Sequence, residues 1–272
     1  MHIIKISDMS SKVHFLDSSI GRKVLMSLTG LFLCTFLIVH VSGNLQLFYN
    51  DFGLAFNQYS LFMTTFTPIK IVSYLLYATV LIHVINGFRI TLQNRKARQI
   101  GYESRKDPRS STWASKNMAL LGTIVLIFLV THMANFWFKY KFGDVTWVEY
   151  KVDLESGHVL GPPMQIEANP SIKPNDYIIS DAEGRKIQMV VIRDLYAVVK
   201  IAFQEMWIVV LYLLGMIALA YHLVHGFQSS FQTLGIRHKL YTPIIQGLGI
   251  WLFGIIIPLL FAAMPAYFFF FL

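Results

Sequence analysis

Five long apolar segments constrain the fold of this 272-residue chain more than any other feature of its sequence. A hydrocarbon core about 30 Å thick requires roughly 20 apolar residues in a helix. Membrane-spanning helices are therefore predicted at about 24–48, 68–93, 115–138, 205–231 and 243–271. We expect an all-α membrane protein with a single membrane domain over residues 1–272. Residues 139–204 are expected to form a long extracytoplasmic insertion between helices 3 and 4.

Basic residues are concentrated in two of the predicted loops. The loop at 94–116 contains Arg95, Lys96, Arg98, Arg105, Lys106, Arg109 and Lys116, and the loop at 232–242 contains Arg237 and Lys239. The loop at 49–67 has no lysine or arginine. Because lysine and arginine are enriched in cytoplasmic loops, we predict a cytoplasmic N-terminus and an external C-terminus. The net charge of +8 is explained by basic loops that set the orientation and face anionic lipid. It therefore does not suggest nucleic-acid binding.

The insertion at 139–204 has its own secondary-structure pattern. Residues 176–180 and 186–191 predict the two strands of a β-hairpin, and residues 193–203 predict a short interfacial helix. A cap over the outer face and a passive insertion both fit this pattern.

Cysteine content and motifs exclude several kinds of chemistry. Cys34 is the single cysteine, so the chain cannot ligate a four-cysteine iron–sulfur cluster or attach a haem covalently through a CxxCH motif. No GxGxxG, Walker or HExxH motif has a suitable context. Any haem must therefore be held non-covalently.

Histidines are the main ionisable residues inside the predicted spans. The first four spans contain His40, His83, His132, and both His222 and His225. Ionisable side chains are costly in a membrane and usually functional, although one histidine alone can simply hydrogen-bond a neighbouring helix. One histidine on each of four successive helices is a stronger pattern.

The depths of these histidines place them at two levels. Counting 1.5 Å per residue from the outer ends of the spans, His40 and His132 lie roughly 12 and 9 Å deep. On the same count, His83 and His222 lie roughly 22 and 24 Å deep. Ligation of a haem by two histidines requires both imidazoles at one depth. The spacing therefore predicts two stacked haems about 12 Å apart, and it disfavours one site with four histidines.

An internal repeat relates the second and fourth spans. The sequence HVINGF begins at His83 and HLVHGF begins at His222, so His225 corresponds to Asn86. In both, a glycine follows the histidine by four residues on the same helix face. Gly87 and Gly226 would let a flat macrocycle lie close to the backbone, and ordinary small-residue helix packing is the alternative.

Over all five spans the sequence resembles the cytochrome b subunit of succinate:quinone oxidoreductases, in the single-chain, five-helix, two-haem class. The matching stretches are residues 21–30, the HVSGNLQ sequence at 40–46, HVINGF, and HLVHGFQSSFQTLG at 222–235. The resemblance implies that the first four helices form a haem-binding bundle. It assigns the outer haem to His40 and His132 and the inner haem to His83 and His222. The insertion at 139–204 is longer than expected for the class.

What the resemblance implies extends to cofactors and partners. It implies two haem b groups, a quinone (menaquinone from the two-haem class) and a bacterial cytoplasmic membrane. A flavoprotein subunit and an iron–sulfur subunit would dock on the cytoplasmic side and carry the dicarboxylate chemistry. The chain would pass electrons between the iron–sulfur subunit and quinone as the membrane subunit of that enzyme. The direction of the reaction and a higher oligomer are both left open.

Haem propionates and quinone carbonyls need polar partners. Arg89 is the first candidate for the inner haem, with Arg22 and Lys23 as further candidates and snorkelling to the headgroups as the alternative. Four polar residues near the outer level are candidates for the quinone site: Gln46, Gln58, Tyr59 and Glu205.

Two other functions compete with this interpretation. A cytochrome b anchor of a hydrogenase or formate dehydrogenase would also use intramembrane histidine pairs. A transporter with a histidine proton relay would require acidic partners near the histidines and interrupted helices around a midplane site. The sequence shows neither feature around the histidines.

Overall fold

The computed structural model describes residues 18–97, 113–167 and 172–272. Within these ranges the chain is mostly helical, and five helices are long and apolar enough to cross a membrane. The five spans are Ser19–Phe48, Thr67–Ala97, Met118–Phe142, Met206–Thr233 and Thr242–Phe271. The prediction of five spans is therefore confirmed, and they indicate a multi-pass membrane protein.

The spans are built from successive helical segments. The helices are α1 (Ser19–Asn44), α2 (Leu54–Thr65), α3 (Thr67–Ala97), α4 (Trp113–Lys116), α5 (Met118–His132), α6 (Lys139–Phe142), α7 (Leu195–Phe203), α8 (Met206–Thr233), α9 (Thr242–Leu248) and α10 (Ile257–Phe271). A 3₁₀ turn (Leu45–Phe48) extends α1, and π-helical segments (Met133–Phe138 and Gly249–Ile256) join α5 to α6 and α9 to α10. Of the predicted basic loop, Arg98, Arg105, Lys106 and Arg109 lie outside the described residues.

The first span begins five residues before its predicted start because its N-terminus is capped. The Ser18 hydroxyl accepts a hydrogen bond from the Gly21 backbone N–H at 2.9 Å. Such a cap satisfies one of the N–H groups that a helix N-terminus leaves without an intrahelical partner. Apolar periodicity alone does not report this polar start.

Helix α8 is central, and the helices around it form two open diagonals. It packs against α1, α5, α10 and the second π-helical segment, while α3 packs mainly on α1 and α2. In the four-helix arrangement of α1, α3, α5 and α8, the diagonal partners are α1 with α5 and α3 with α8. Neither diagonal pair packs closely within the described part of the chain. Each diagonal therefore joins two helices that carry histidines but do not pack closely against each other, and in this sense we call it open.

Apolar side chains are exposed on the outside of this bundle. On α3 they include Ile71, Val72, Leu75, Leu81 and Ile85. A soluble helix would bury such a row, whereas hydrocarbon solvates it. The exposure therefore agrees with a lipid-facing surface.

The segment between the third and fourth spans contains a four-stranded antiparallel sheet. Its strands are β1 (Trp147–Asp153), β2 (Met164–Ile166), β3 (Asn175–Ser180) and β4 (Lys186–Arg193), in the order β2-β1-β4-β3. The structure has β3 and β4 as the predicted hairpin, and α7 where the interfacial helix was expected. The sequence analysis missed β1 and β2. Strand β1 adds buried alternating positions, Val148, Tyr150 and Val152, to the sheet core.

We call the end of the bundle that carries α2, the sheet and α7 the sheet end. We call the opposite end, with Arg22, Lys96 and Arg237, the basic end. The sequence analysis treated residues 49–67 only as a loop, but the structure forms α2 there. Asp51 explains this start, because its carboxylate accepts hydrogen bonds from the backbone N–H groups of Gly53 and Ala55 at 3.0 and 2.8 Å.

A buried polar network joins α2 to the sheet and to α7. Asn57 Nδ2 donates to the Tyr150 hydroxyl at 3.1 Å and to Asp194 Oδ1 at 3.0 Å, and its Oδ1 accepts from the Tyr196 N–H at 2.9 Å. Burial, followed by the nearby Asp194 carboxylate, raises the pKa of Tyr150. The phenol therefore stays protonated and donates to the Phe52 carbonyl at 3.0 Å. The network fixes the sheet as a cap on the bundle.

Arg193, at the end of β4, ties the sheet to the third span. Its guanidinium donates to the carbonyls of Tyr140 and Gly143 at 2.7 and 3.2 Å and lies 4.8 Å from the centroid of the Tyr140 ring. Carbonyls at the end of a helix have no intrahelical donor, so a cation there is stabilising.

Two glycines test how tightly the cap is docked. Gly53 and Gly184 both have positive φ, at 86° and 80°, but a Cβ on Gly53 would overlap the Tyr196 ring while one on Gly184 meets nothing. We expect Gly184→Ala to destabilise the protein by about 1 kcal/mol through backbone strain alone. Gly53→Ala should add a steric penalty and reach about 2–3 kcal/mol. Thermal unfolding of both variants in detergent measures the difference, and equal shifts would contradict the docking.

Candidate functional site

The structure brings the four histidines together in two pairs. The ring centroids of His40 on α1 and His132 on α5 are 5.8 Å apart. Those of His83 on α3 and His222 on α8 are 6.3 Å apart. Each pair spans one open diagonal of the bundle. We call His40 and His132 the sheet-side pair, and His83 and His222 the basic-side pair.

Contacts along three helices give the separation of the two levels. The His83 ring lies beside Gly30 of α1, and the His222 ring beside Gly122 of α5. The His132 ring contacts Tyr212 of α8, with ring centroids 6.0 Å apart. Gly30 to His40, Gly122 to His132 and Tyr212 to His222 are each ten residues apart in sequence. Ten helical residues rise about 15 Å, so the levels are somewhat further apart than the predicted 12 Å.

The spacing within each pair matches what a shared metal would require. An iron bound by two imidazole nitrogens, each about 2 Å away, places the two ring centroids about 6 Å apart. The observed 5.8 and 6.3 Å fall at this value. In the described ranges, no group of three or more histidine, cysteine or acidic side chains converges. The arrangement therefore suits two bis-histidine sites and not a single metal centre with several protein ligands.

Hydrogen bonding leaves the same nitrogen available on all four imidazoles. None of the four Nε2 atoms hydrogen-bonds to a described residue. The Nδ1 atoms of His132 and His222 are buried without a partner, and His83 Nδ1 lies 3.0 Å from the Thr29 hydroxyl oxygen. A neutral imidazole binds a metal through its unprotonated nitrogen. These side chains therefore have the nitrogen donors that a haem iron requires.

Aromatic rings enclose the sheet-side pair. Phe36 stacks on His40 at 5.1 Å, and Phe261 of the fifth span lies 5.5 Å from it. Phe128 and Phe136 lie 5.6 and 5.3 Å from His132. Such a wall gives the pair apolar surroundings, which suit a planar apolar ligand.

Small residues surround the basic-side pair. A Cβ on Gly30 would lie 3.5 Å from the His83 ring, and a Cβ on Gly122 3.5 Å from the His222 ring. Of the two glycines predicted to face a macrocycle, Gly226 opens onto free space and Gly87 faces Met26. The sequence analysis missed Gly30 and Gly122 as neighbours of histidines on other helices. Their ten-residue spacing from His40 and His132 was the available signal.

The predicted cationic partners of the basic-side pair differ in their placement. Arg89 and Lys23 are exposed, whereas Arg22 is partly buried and its Nε has no partner. The Arg22 carbonyl accepts a 2.8 Å hydrogen bond from Asn86, which is three residues beyond His83. Burial of Nε places part of the Arg22 side chain against the bundle at its basic end.

The four candidate quinone residues are not gathered into one site. The Tyr59 ring packs directly on Gly43, which lies one turn beyond His40, and burial raises the pKa of this tyrosine. Gln58 and Glu205 are exposed, Gln46 is partly buried, and no hydrogen bond joins any of the four within the described residues. Tyr59 is therefore in contact with α1 one turn from the sheet-side pair.

His225 lies on α8 one turn beyond His222 but forms no ring pair with His83. The helix presents His222, and not His225, across the diagonal. The internal repeat predicted the same choice, because it aligned His225 with Asn86.

Comparison of the chain with protein-family models, curated proteins and solved structures finds no match.

Proposed function

We propose that this chain is the dihaem cytochrome b membrane anchor of a complex of the succinate dehydrogenase or fumarate reductase type. In this role it transfers electrons between an iron–sulfur subunit and a quinone. The proposal rests on the two histidine pairs. Within each pair the two rings lie at the separation that a shared iron requires, across an open diagonal. The two pairs are about 15 Å apart along the helices.

Each histidine pair would hold one haem b through the two Nε2 atoms. When bound, a haem supplies a one-electron Fe(III)/Fe(II) couple. The chain contributes two levels of ligands within an otherwise apolar bundle, so that an electron can cross in two steps. The aromatic wall around His40 and His132 would keep water from a haem at the sheet-side pair. Gly226 would leave room for a haem beside the basic-side pair.

The charge distribution supports an orientation for this anchor. Lysines and arginines at the basic end, including Lys96 and Arg237, favour the cytoplasmic side. An iron–sulfur subunit and a flavoprotein subunit would dock there, nearest His83 and His222. The sheet end would face outward, and Tyr59 would lie near a quinone at the sheet-side pair. The resemblance implies menaquinone and a bacterial cytoplasmic membrane.

A reduced-minus-oxidised absorption spectrum of the purified protein tests the proposal. We expect two b-type haems per chain, with absorption bands that titrate as two one-electron components. Dithionite reduction with pyridine extraction quantifies the haem against the protein concentration. Folded protein without haem, made in cells that supply haem, would contradict the proposal and favour a proton-relay function for the histidines. Co-purification with hydrogenase or formate dehydrogenase subunits would keep the cytochrome and reassign the complex.

A further inference from the structure

Thr29 is the one residue on the described part of the chain that hydrogen-bonds an intramembrane histidine of either pair. Its hydroxyl oxygen lies 3.0 Å from His83 Nδ1 and is buried between α1 and α3. His40, His132 and His222 form no such bond within the described residues. The basic-side pair is therefore asymmetric: one imidazole is anchored to the protein and the facing one is not.

The direction of this hydrogen bond follows from the other contacts of Thr29. The hydroxyl also lies 2.8 Å from the Leu25 carbonyl and 3.1 Å from the Met26 carbonyl on its own helix. A hydroxyl has one proton, and a carbonyl oxygen can only accept. Because the Leu25 contact is the shortest, the Thr29 proton goes to that carbonyl. The oxygen lone pair then accepts the N–H of His83 Nδ1.

We propose that Thr29 is a positioning residue for His83, which fixes its imidazole as the Nδ1–H tautomer and strengthens Nε2 as an iron ligand. The inference rests on the proposed haem function. A neutral imidazole carries one proton, so a proton held on Nδ1 leaves the Nε2 lone pair free. A hydrogen bond accepted from Nδ1–H also orients the ring and raises the basicity of the ligand.

This arrangement predicts a change in the redox equilibrium of one haem. A more basic ligand stabilises the ferric state, so loss of the Thr29 acceptor favours reduction. In Thr29→Val, which keeps the branched shape but lacks the hydroxyl, we expect both haems to remain bound. The ratio of reduced to oxidised basic-side haem at a fixed potential should rise about tenfold, which is 59 mV for a one-electron couple. Thr29→Ser should restore the wild-type potential.

Thr35→Val is the matched control. Thr35 lies on the same helix and donates to a carbonyl four residues earlier, that of Leu31, at 3.1 Å, but it is exposed and contacts no histidine. Both threonine variants lose the same kind of local bond, but only Thr29→Val also loses the contact with His83. The control should leave both potentials unchanged.

Spectroelectrochemical titration with the electron paramagnetic resonance signals of the two low-spin haems is the measurement. A selective shift in Thr29→Val, reversed in Thr29→Ser, supports the role of Thr29. Two haems with unchanged potentials in Thr29→Val would overturn it while leaving the proposed function intact. Wild-type protein without haem would overturn both. If Thr29→Val does not accumulate, Thr29→Ala carries the same expectation.

Discussion

His83→Ala and His222→Ala are each expected to remove the same haem, and His40→Ala and His132→Ala the other. The reason is that each pair meets across one diagonal, at 6.3 and 5.8 Å between ring centroids. A haem bound through one remaining imidazole loses half of its protein ligation, so we expect near-complete loss of that component. The four single variants, compared by difference spectra and redox titration, should fall into two classes.

His225→Ala is the control for the histidine variants. His225 lies in the same helix, three residues beyond His222, but is not paired with His83. We expect it to retain both haems. Loss of the same spectral component in His83→Ala and in His40→Ala would show that the pairing is wrong. Loss of a haem in His225→Ala, with both retained in His222→Ala, would transfer the ligand role to His225.

Asn57→Ala is expected to release the sheet from the helical bundle. Asn57 is 1% exposed, and all of its amide hydrogen-bonding groups are used by Tyr150, Asp194 and Tyr196. The substitution leaves the Tyr196 N–H without its acceptor and removes one donor from the buried Asp194 carboxylate. Together with the cavity, this should destabilise the docked sheet by about 3–4 kcal/mol.

Hydrogen exchange measures this release locally. Amides of β1 and β4 should exchange at least about a hundredfold faster in Asn57→Ala, because each 1.4 kcal/mol is tenfold in an opening equilibrium. Gln58→Ala, on the next residue of α2 but with an exposed side chain, should leave exchange unchanged. Equal exchange in Asn57→Ala and the wild type would show that apolar packing alone holds the cap. Haem content should be retained, because Asn57 does not contact either histidine pair.

The sequence by itself determined the spans and the identity of the paired histidines. Apolar runs long enough to cross hydrocarbon can be recognised without knowledge of their neighbours, because the membrane and not the rest of the chain solvates them. Depth along a helix is also a local quantity, fixed by a constant rise per residue. It therefore matched His40 to His132 and His83 to His222 before any helix packing was known.

Errors in the sequence analysis arose where polar groups define boundaries or where partners lie far apart in the chain. The cap of α1 by Ser18 and the start of α2 at Asp51 depend on single hydrogen bonds, which apolar periodicity does not encode. The level separation of about 12 Å was counted from the predicted outer ends of the spans, which need not lie at one depth. Of these ends, only that of the third span shifts by more than one residue, from 138 to Phe142. Contacts between helices give about 15 Å because they do not use the ends.

Tertiary structure alone decided which side chains surround the histidines and what holds the cap. Thr29 and His83 are 54 residues apart, and Asn57 and Asp194 are 137 apart. In the sequence, nothing distinguishes Thr29 from other threonines in helices, or Asn57 from other asparagines. Burial makes these particular ones matter, because a polar group removed from water must find its partner within the fold. The depth of a histidine can be counted along its own helix, whereas hydrogen bonds between helices depend on how all the helices pack.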